Sequence, residues 1–186
     1  MDFELTDEQK LVQETAREFA RNDIAPTMVE EEKNHEFRLD RVVRMGELGF
    51  FSCGVPDEFG GTGFGFVESV LMAEQVAKVS ASWRLPFNMQ NLGPALTVAK
   101  FGSAAQKQKF IPGWVAGTKV GFFGMTEPES GSDVASMKTL ARDMGDHWEV
   151  TGSKIWVSNA TQGDAGLLYV MTDPDQKHRG MSAFIL

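Results

Sequence analysis

The chain has 186 residues, of which 42% are hydrophobic and 24% are charged, as in an ordinary globular protein. Its 26 acidic residues outnumber the 18 lysines and arginines, so the formal net charge is −8. This balance argues against nucleic-acid binding, because phosphate backbones attract clustered lysine and arginine. The single cysteine, Cys53, cannot form an internal disulfide, and its apolar neighbours predict a buried side chain.

No apolar run approaches the length of a membrane span, and the N-terminal tetrapeptide Met1-Asp2-Phe3-Glu4 is acidic rather than basic. The sequence therefore predicts no signal or transit peptide, no membrane span and a cytoplasmic location. The three histidines are far apart and lack ligand spacing with cysteine or carboxylates, so no metal site is predicted.

Helical patterns dominate residues 1–117. Thr6 and Gln9 have the spacing of a capping box, and apolar residues recur behind them until about residue 25. Further helices are predicted over residues 38–48, 66–79 and 83–101. A last helix opens at Ser103, which forms a second capping box with Gln106.

After Gly117 the pattern changes to short β-prone runs separated by turn residues. The predicted strands are residues 120–125, 148–151, 154–157, 167–171 and 181–186. Helices followed by strands indicate an α+β chain, with a helical bundle domain at 1–117 and an antiparallel β-barrel domain at 118–186. Five strands leave an open edge, so the barrel is predicted to be incomplete and more chain is expected to follow.

The first segment that suggests chemistry is residues 122–133, which leave a strand and enter a loop rich in hydroxyls, acids and glycines. Backbone amides and hydroxyl donors at close range suit a planar heterocycle or a phosphate. A polar turn between two strands is the alternative interpretation.

The second segment is residues 152–159, Gly-Ser-Lys-Ile-Trp-Val-Ser-Asn. On a strand, Trp156 and Ser158 would share one face, so the ring could cover an aromatic cofactor while the hydroxyl donates to its edge. A core tryptophan followed by a strand-end serine explains the same residue types.

Together the two segments resemble the flavin-binding signatures of the acyl-CoA dehydrogenase family. Residues 123–133 fit aromatic-x-x-Thr-Glu-Pro-x-x-Gly-Ser-Asp, and residues 152–159 fit Gly-x-Lys-x-Trp-Ile-Thr/Ser-Asn with Val157 as a mild departure. The resemblance extends over the whole chain, including the loop at 55–61 and the run at 101–112.

The resemblance implies a flavoprotein that binds FAD. The implied cofactor-binding residues are Phe123, Met125, Thr126, Gly131, Ser132, Trp156 and Ser158. Of these, Ser158 would donate near the flavin N5 position, and Ser132 would also meet the pantetheine chain of the substrate. In the family the catalytic base is a glutamate of a carboxy-terminal helical domain. That domain is expected to be absent here, so no catalytic residue is assigned and the chain alone is expected to bind FAD weakly and to be inactive.

Arg84 and Asn88 are the candidate substrate-binding residues. They lie one helical turn apart in an apolar neighbourhood, where a buried arginine needs an anionic partner. The segment resembles the glutaryl-CoA dehydrogenase branch of the family, in which an arginine here reaches the free carboxylate of the acyl group. Pairing of Arg84 with an acid of the chain, such as Glu74, is the alternative.

The activity implied is oxidoreductase chemistry on a CH–CH bond: α,β-dehydrogenation of glutaryl-CoA, with or without decarboxylation. Electrons would pass to an electron-transferring flavoprotein, and the full-length protein would be a homotetramer. Other substrates left open are benzylsuccinyl-CoA and cyclohexane- or cyclohexene-carboxyl-CoA. An oxygen-using relative and a non-catalytic, truncated CoA-binding module are further alternatives. The sequence does not decide among a fragment, a split subunit and a truncated gene product.

Overall fold

The computed structural model describes residues 4–186; Met1, Asp2 and Phe3, on which the expectation of no leader peptide partly depends, lie outside the described residues. The chain divides into two compact units, one ending at Val120 and the other spanning Gly121–Leu186. Across residues 4–186, no helix has both the length and the hydrophobicity that crossing a bilayer requires. The same residues contain no group of three or more His, Cys, Asp or Glu side chains placed to hold a metal ion.

The first unit is helical. Its helices are α1 (Asp7–Phe19), α2 (Met28–Asn34), α3 (Leu39–Glu47), α4 (Phe66–Val79), α5 (Ala81–Leu92), α6 (Pro94–Phe101) and α7 (Ala104–Val115). A π turn, Ala20–Ile24, continues α1.

Both predicted capping boxes are confirmed. The Gln9 N–H donates to Thr6 Oγ1, and the Thr6 N–H donates back to Gln9 Oε1, each at 3.1 Å. Ser103 and Gln106 make the same reciprocal pair at the start of α7. These bonds satisfy amides that the first helical turn leaves without partners, which is why the two helices begin where the sequence predicts.

The core of the helical unit is apolar and rich in phenylalanine. Phe50 and Phe51, which follow α3, pack with Phe87 of α5, and all three are almost fully buried. Cys53 is also buried, as predicted, and its thiol donates to the Gly65 carbonyl at 3.2 Å. Burial of this apolar surface is the main force that holds the helices together.

Two helix predictions need correction. The helix predicted over 83–101 is divided into α5 and α6, because Gly93 leaves helical geometry before Pro94, a residue that disfavours helical conformation in its predecessor. The helix α2 was missed; it has only seven residues and no side-chain cap at its N-terminus. Four apolar residues of these helices are exposed: Leu11, Leu39, Val67 and Val70.

The second unit is a five-stranded sheet with strands β1 (Gly121–Gly124), β2 (Leu140–Asp143), β3 (Trp148–Thr151), β4 (Ala165–Met171) and β5 (Met181–Ile185). The α+β class and the open barrel are confirmed, because the sheet does not close. The expected antiparallel pairing holds for β2–β3 and β4–β5, whereas β4 pairs with β1 and β2 in parallel. The sheet is therefore mixed rather than antiparallel.

One strand prediction was wrong and one strand was missed. Residues 154–157 form no strand, because Trp156 has a φ of 58°, in the left-handed region that a strand excludes. The strand β2 was missed because Leu140-Ala141-Arg142-Asp143 contains no β-branched or aromatic residue. Its four-residue pairing with β3 determines its conformation instead.

Candidate functional site

The two polar segments of the sheet unit lie side by side. The backbone N–H of Ile155 donates to the Thr126 carbonyl at 2.9 Å, and Lys154 Nζ donates to the Met125 carbonyl at 3.0 Å. At the other end of the segment, the Asn159 side chain donates to the Gly121 carbonyl at 3.0 Å. Residues 154–159 are thus attached to both ends of β1 without forming a strand.

A tight turn shapes the first segment. Glu127 and Ser130 exchange backbone hydrogen bonds of 2.8 and 3.3 Å. The Ser130 hydroxyl, which is buried, donates to the Asp133 carbonyl at 2.8 Å. This arrangement leaves Gly131 and Ser132 exposed at the tip of the loop, available to a ligand.

A buried ion pair joins the two segments. Glu127 Oε1 accepts from Lys154 Nζ at 2.7 Å, and both side chains are less than a tenth exposed. The carboxylate also accepts from the backbone N–H groups of Lys138, at 2.6 Å, and Thr139, at 2.9 Å. Burial raises the pKa of Glu127, but these donors outweigh that effect and lower the pKa to about 2.

The predicted cofactor-binding residues in this unit are at least partly accessible. Phe123, Met125, Thr126 and Ser158 are half-buried, whereas Gly131 and Ser132 are exposed. Trp156 is 85% exposed, which rules out a core tryptophan. The prediction that Trp156 and Ser158 share one face of a strand was wrong, because these residues do not form a strand.

The chemistry of this surface fits a planar aromatic group. It combines a solvent-facing indole, one residue from the Ile155–Thr126 hydrogen bond, with accessible hydroxyls on both segments. Aromatic rings pack favourably on such an indole, and hydroxyl groups can donate to the polar edge of a heterocycle.

Arg84 and Asn88 lie in α5 of the helical unit, both half-buried. Within residues 4–186, the Arg84 guanidinium has no ion-pair or hydrogen-bond partner. Glu74, the internal acid considered for it, pairs instead with Lys78 at 3.1 Å and accepts from Gln75 at 3.0 Å. No acid among the described residues therefore occupies the donors of Arg84, which suits them to an external anion.

Two depressions lie near these residues in the sequence but do not include them. One of about 390 Å³ in the helical unit is lined by Glu31, Glu32, His35, Glu36, Phe37, Ser82, Trp83 and Pro86. One of about 240 Å³ in the sheet unit is lined by Glu127, Pro128, Glu129, Lys138, Thr139, Gly152 and Ser153. None of the candidate residues therefore lines either depression.

Known proteins resemble the chain along its full length. The family model for the acyl-CoA dehydrogenase N-terminal domain matches residues 6–118, and the model for the acyl-CoA dehydrogenase middle domain matches residues 122–186. A glutaryl-CoA dehydrogenase of Desulfococcus multivorans is 40% identical over 100% of this chain and 49% of its own length. The mitochondrial short-chain specific acyl-CoA dehydrogenase of Mus musculus is 34% identical over 98% of this chain and 44% of its own.

A solved structure of a glutaryl-coenzyme A dehydrogenase in complex with glutaryl-CoA superposes with a TM-score of 0.96 at 40% identity, covering 100% of this chain and 48% of that one. The chain belongs to the acyl-CoA dehydrogenase family. It spans about half the length of the relatives it matches.

Sequence reasoning missed the roles of three signature residues. Glu127, Lys154 and Asn159 were included in the matched signatures, but no contact was assigned to them. The structure gives each a bond that attaches one segment to another part of the sheet unit. The available signal was the presence of one acid, Glu127, and one lysine, Lys154, in two segments that together resemble a single flavin-binding site.

Proposed function

We propose that the chain supplies the flavin-facing and part of the substrate-facing surface of an acyl-CoA dehydrogenase that introduces an α,β double bond. The observation that carries this proposal is the attachment of residues 154–155 to Met125 and Thr126, which brings an exposed Trp156 next to the Thr126 loop. FAD, when bound, would accept the hydride from the substrate β-carbon.

The residues of this chain would bind and orient rather than move the substrate proton. Trp156 would pack on the ring system, while Thr126 and Ser158 would donate hydrogen bonds to its polar edge. Phe123, Met125, Gly131 and Ser132 would complete the wall. Fixed donors of this kind stabilise negative charge that develops on a reduced ring. Glu127 is unsuited to act as the base, since three donors occupy its carboxylate oxygens and its pKa of about 2 makes it a poor proton acceptor.

Removal of the Trp156 ring tests the cofactor assignment. We expect Trp156→Ala to weaken FAD binding by about tenfold, because loss of an aromatic contact of about 1.4 kcal/mol changes a dissociation constant by that factor. The measurement is a titration of the 186-residue chain followed by flavin fluorescence. Trp148→Ala is the matched control, since Trp148 is also an exposed tryptophan of the sheet unit. Equal affinities for the two variants would contradict the assignment.

The substrate class we propose is a CoA thioester with a free carboxylate, glutaryl-CoA in particular. The Arg84 guanidinium, unpartnered by any residue that the structure describes, supports it, because the arginine fork matches carboxylate geometry. Asn88 would assist one turn later, and Ser132 would contact the pantetheine chain. Similarity to short-chain acyl-CoA dehydrogenases makes an uncharged acyl group the competing class.

Arg84→Met distinguishes the two substrate classes. We expect it to raise the dissociation constant for glutaryl-CoA by about tenfold and to leave that for butyryl-CoA unchanged, because only the former has a second carboxylate. Calorimetric titration of both thioesters measures the difference. Arg44→Met, which removes an exposed arginine of the same unit, serves as the control. A parallel loss for both thioesters would eliminate the dicarboxylic class.

Two further proposals come from the family as a whole: the electron acceptor would be an electron-transferring flavoprotein, and the full-length protein would be a homotetramer. The cytoplasmic location, predicted from the sequence, is a third proposal. Reoxidation kinetics with air compared with the flavoprotein partner would test the first of these.

A further inference from the structure

Glu127 lies at a junction of three parts of the sheet unit. Its backbone belongs to the loop after β1, its Oε2 accepts from the N–H of Lys138, and its Oε1 accepts from the N–H of Thr139 at the entry to β2. The same Oε1 accepts from Lys154 of the second segment. One buried carboxylate thereby connects the loop, the β2 entry and the segment that precedes Trp156.

Lys154 makes the complementary set of contacts. Its ammonium donates to Glu127 Oε1 at 2.7 Å and to the Met125 carbonyl at 3.0 Å, so two of its protons are used on the first segment. Its side chain is 8% exposed, which removes competition from water. A charge-assisted hydrogen bond in such a place is strong and directional.

Trp156 lies two residues after Lys154, and its backbone conformation is unusual. Its φ of 58° is rare for a bulky side chain. Such a backbone persists only where neighbouring bonds hold it, and the preceding Ile155 amide is held by the Thr126 carbonyl. The indole itself is 85% exposed, so packing of the ring does not fix its position.

We propose that Glu127 and Lys154 are positioning residues, a buried pair that sets where the Trp156 indole and the Thr126 loop lie relative to the flavin ring. The pair touches neither ring nor substrate and acts through Trp156 and Thr126. This inference rests on the proposed function for its cofactor, whereas the placement of Trp156 by the pair can be tested without any cofactor.

The cofactor-free test uses the 186-residue chain labelled with 5-fluorotryptophan, whose four ¹⁹F resonances can be assigned with single Trp→Phe variants. Lys154→Met is expected to shift or broaden the Trp156 resonance and to leave Trp148, in the same unit, unchanged. It is also expected to accelerate hydrogen exchange at the Ile155 amide at least tenfold. A purely structural role would instead disturb Trp148 together with Trp156.

Three other variants complete the set. Lys154→Arg keeps a buried cation and is expected to restore the Trp156 resonance at least in part. Glu127→Gln removes the charge but keeps an acceptor and is expected to give an intermediate effect. Lys138→Met is the matched control, because the Lys138 side chain pairs with the exposed Glu129 while only its backbone contacts Glu127. It should leave every resonance in place.

FAD titration by flavin fluorescence provides the second readout. We expect at least tenfold weaker binding for Lys154→Met, recovery to within about threefold of the wild type for Lys154→Arg and no change for Lys138→Met. An unchanged Trp156 resonance and Ile155 exchange in Lys154→Met would overturn the proposal, as would a moved Trp156 resonance with unchanged FAD affinity. A wild-type chain that binds no FAD would refute the proposed function, whereas the resonance and exchange data would still decide whether the pair places Trp156.

Discussion

Each unit of the molecule buries an ion pair, and the two pairs are built differently. In the helical unit, Glu31 of α2 accepts from two nitrogens of Arg41 at 2.5 and 2.7 Å. In the sheet unit, Glu127 accepts from Lys154 and from two backbone amides. The Glu31–Arg41 pair joins the side chains of two helices, α2 and α3. The Glu127–Lys154 pair instead holds backbone segments that belong to no helix or strand. The location of a buried charge thus indicates whether it supports packing or a functional surface.

The surroundings of the helical pair reinforce this difference. The Trp83 indole N–H donates to Glu31 at 3.2 Å, and the Arg41 guanidinium stacks on the Trp83 ring at 4.4 Å. Thr27 adds a hydroxyl hydrogen bond of 2.6 Å to the carboxylate. Every side-chain partner of this pair belongs to the helical unit. We therefore expect loss of this pair to affect mainly stability, and loss of the sheet pair to affect mainly ligand binding.

The largest expected effect comes from Glu31→Ala. It leaves the Arg41 charge buried without its carboxylate, which destabilises a protein by about 3–5 kcal/mol. Urea unfolding followed at Trp83 gives the free energy of unfolding. Glu30→Ala removes a neighbouring exposed acid of α2 and should change that energy by less than about 0.5 kcal/mol. Similar losses for the two variants would remove the distinction between a buried and an exposed acid.

A second test lowers the pH. The Arg41 guanidinium, against the opposing effect of burial, lowers the pKa of Glu31 to about 2, and the pKa of Glu127 is also about 2, compared with an ordinary value of 4.5. A carboxyl group whose pKa is lower in the folded than in the unfolded chain stabilises the fold at any pH above the unfolded pKa. This stabilisation is lost as the pH falls from about 4.5 towards 2.

Each carboxylate should therefore contribute up to about 3 kcal/mol that disappears in this range. Unfolding measured between pH 6 and pH 2, with the ¹⁹F resonances of Trp83 and Trp148 reporting separately on the two units, would show the loss in both. Stability of either unit that stays constant between pH 5 and pH 2.5 would mean that its carboxylate is not held as the structure shows.

The smallest expected effect is that of Arg84→Met on stability. The Arg84 side chain has no partner among residues 4–186, and methionine retains an apolar stem, so the free energy of unfolding should change by less than about 0.5 kcal/mol. The same urea experiment measures it. A loss comparable to that of Glu31→Ala would show that Arg84 belongs to the core and would weaken its substrate role.

Local interactions were the most predictable part of the fold. The capping boxes at Thr6 and Ser103 involve residues three apart, so the sequence contains all that is needed to locate them. The strand β2 was unpredictable for the opposite reason, because its pairing with β3 overrides its weak intrinsic preference.

The candidate site was predictable in composition but not in geometry. The spacing of the two signatures identified the segments that meet, whereas the conformation of residues 154–157 depends on bonds to β1 and Glu127 that are distant in sequence. Periodicity takes no account of such bonds, and it therefore predicted a strand where the backbone of Trp156 is left-handed.

The parallel pairing of β1 with β4 has a consequence for how the molecule acquires its structure. Gly121 pairs with Ala165, so β2 and β3 must be synthesised before β1 can find its neighbour. Contacts of such long sequence separation form slowly, whereas those within helices form quickly. During translation the two phenylalanines of β1 therefore lack their sheet partner until Ala165 and the residues that follow it have been synthesised.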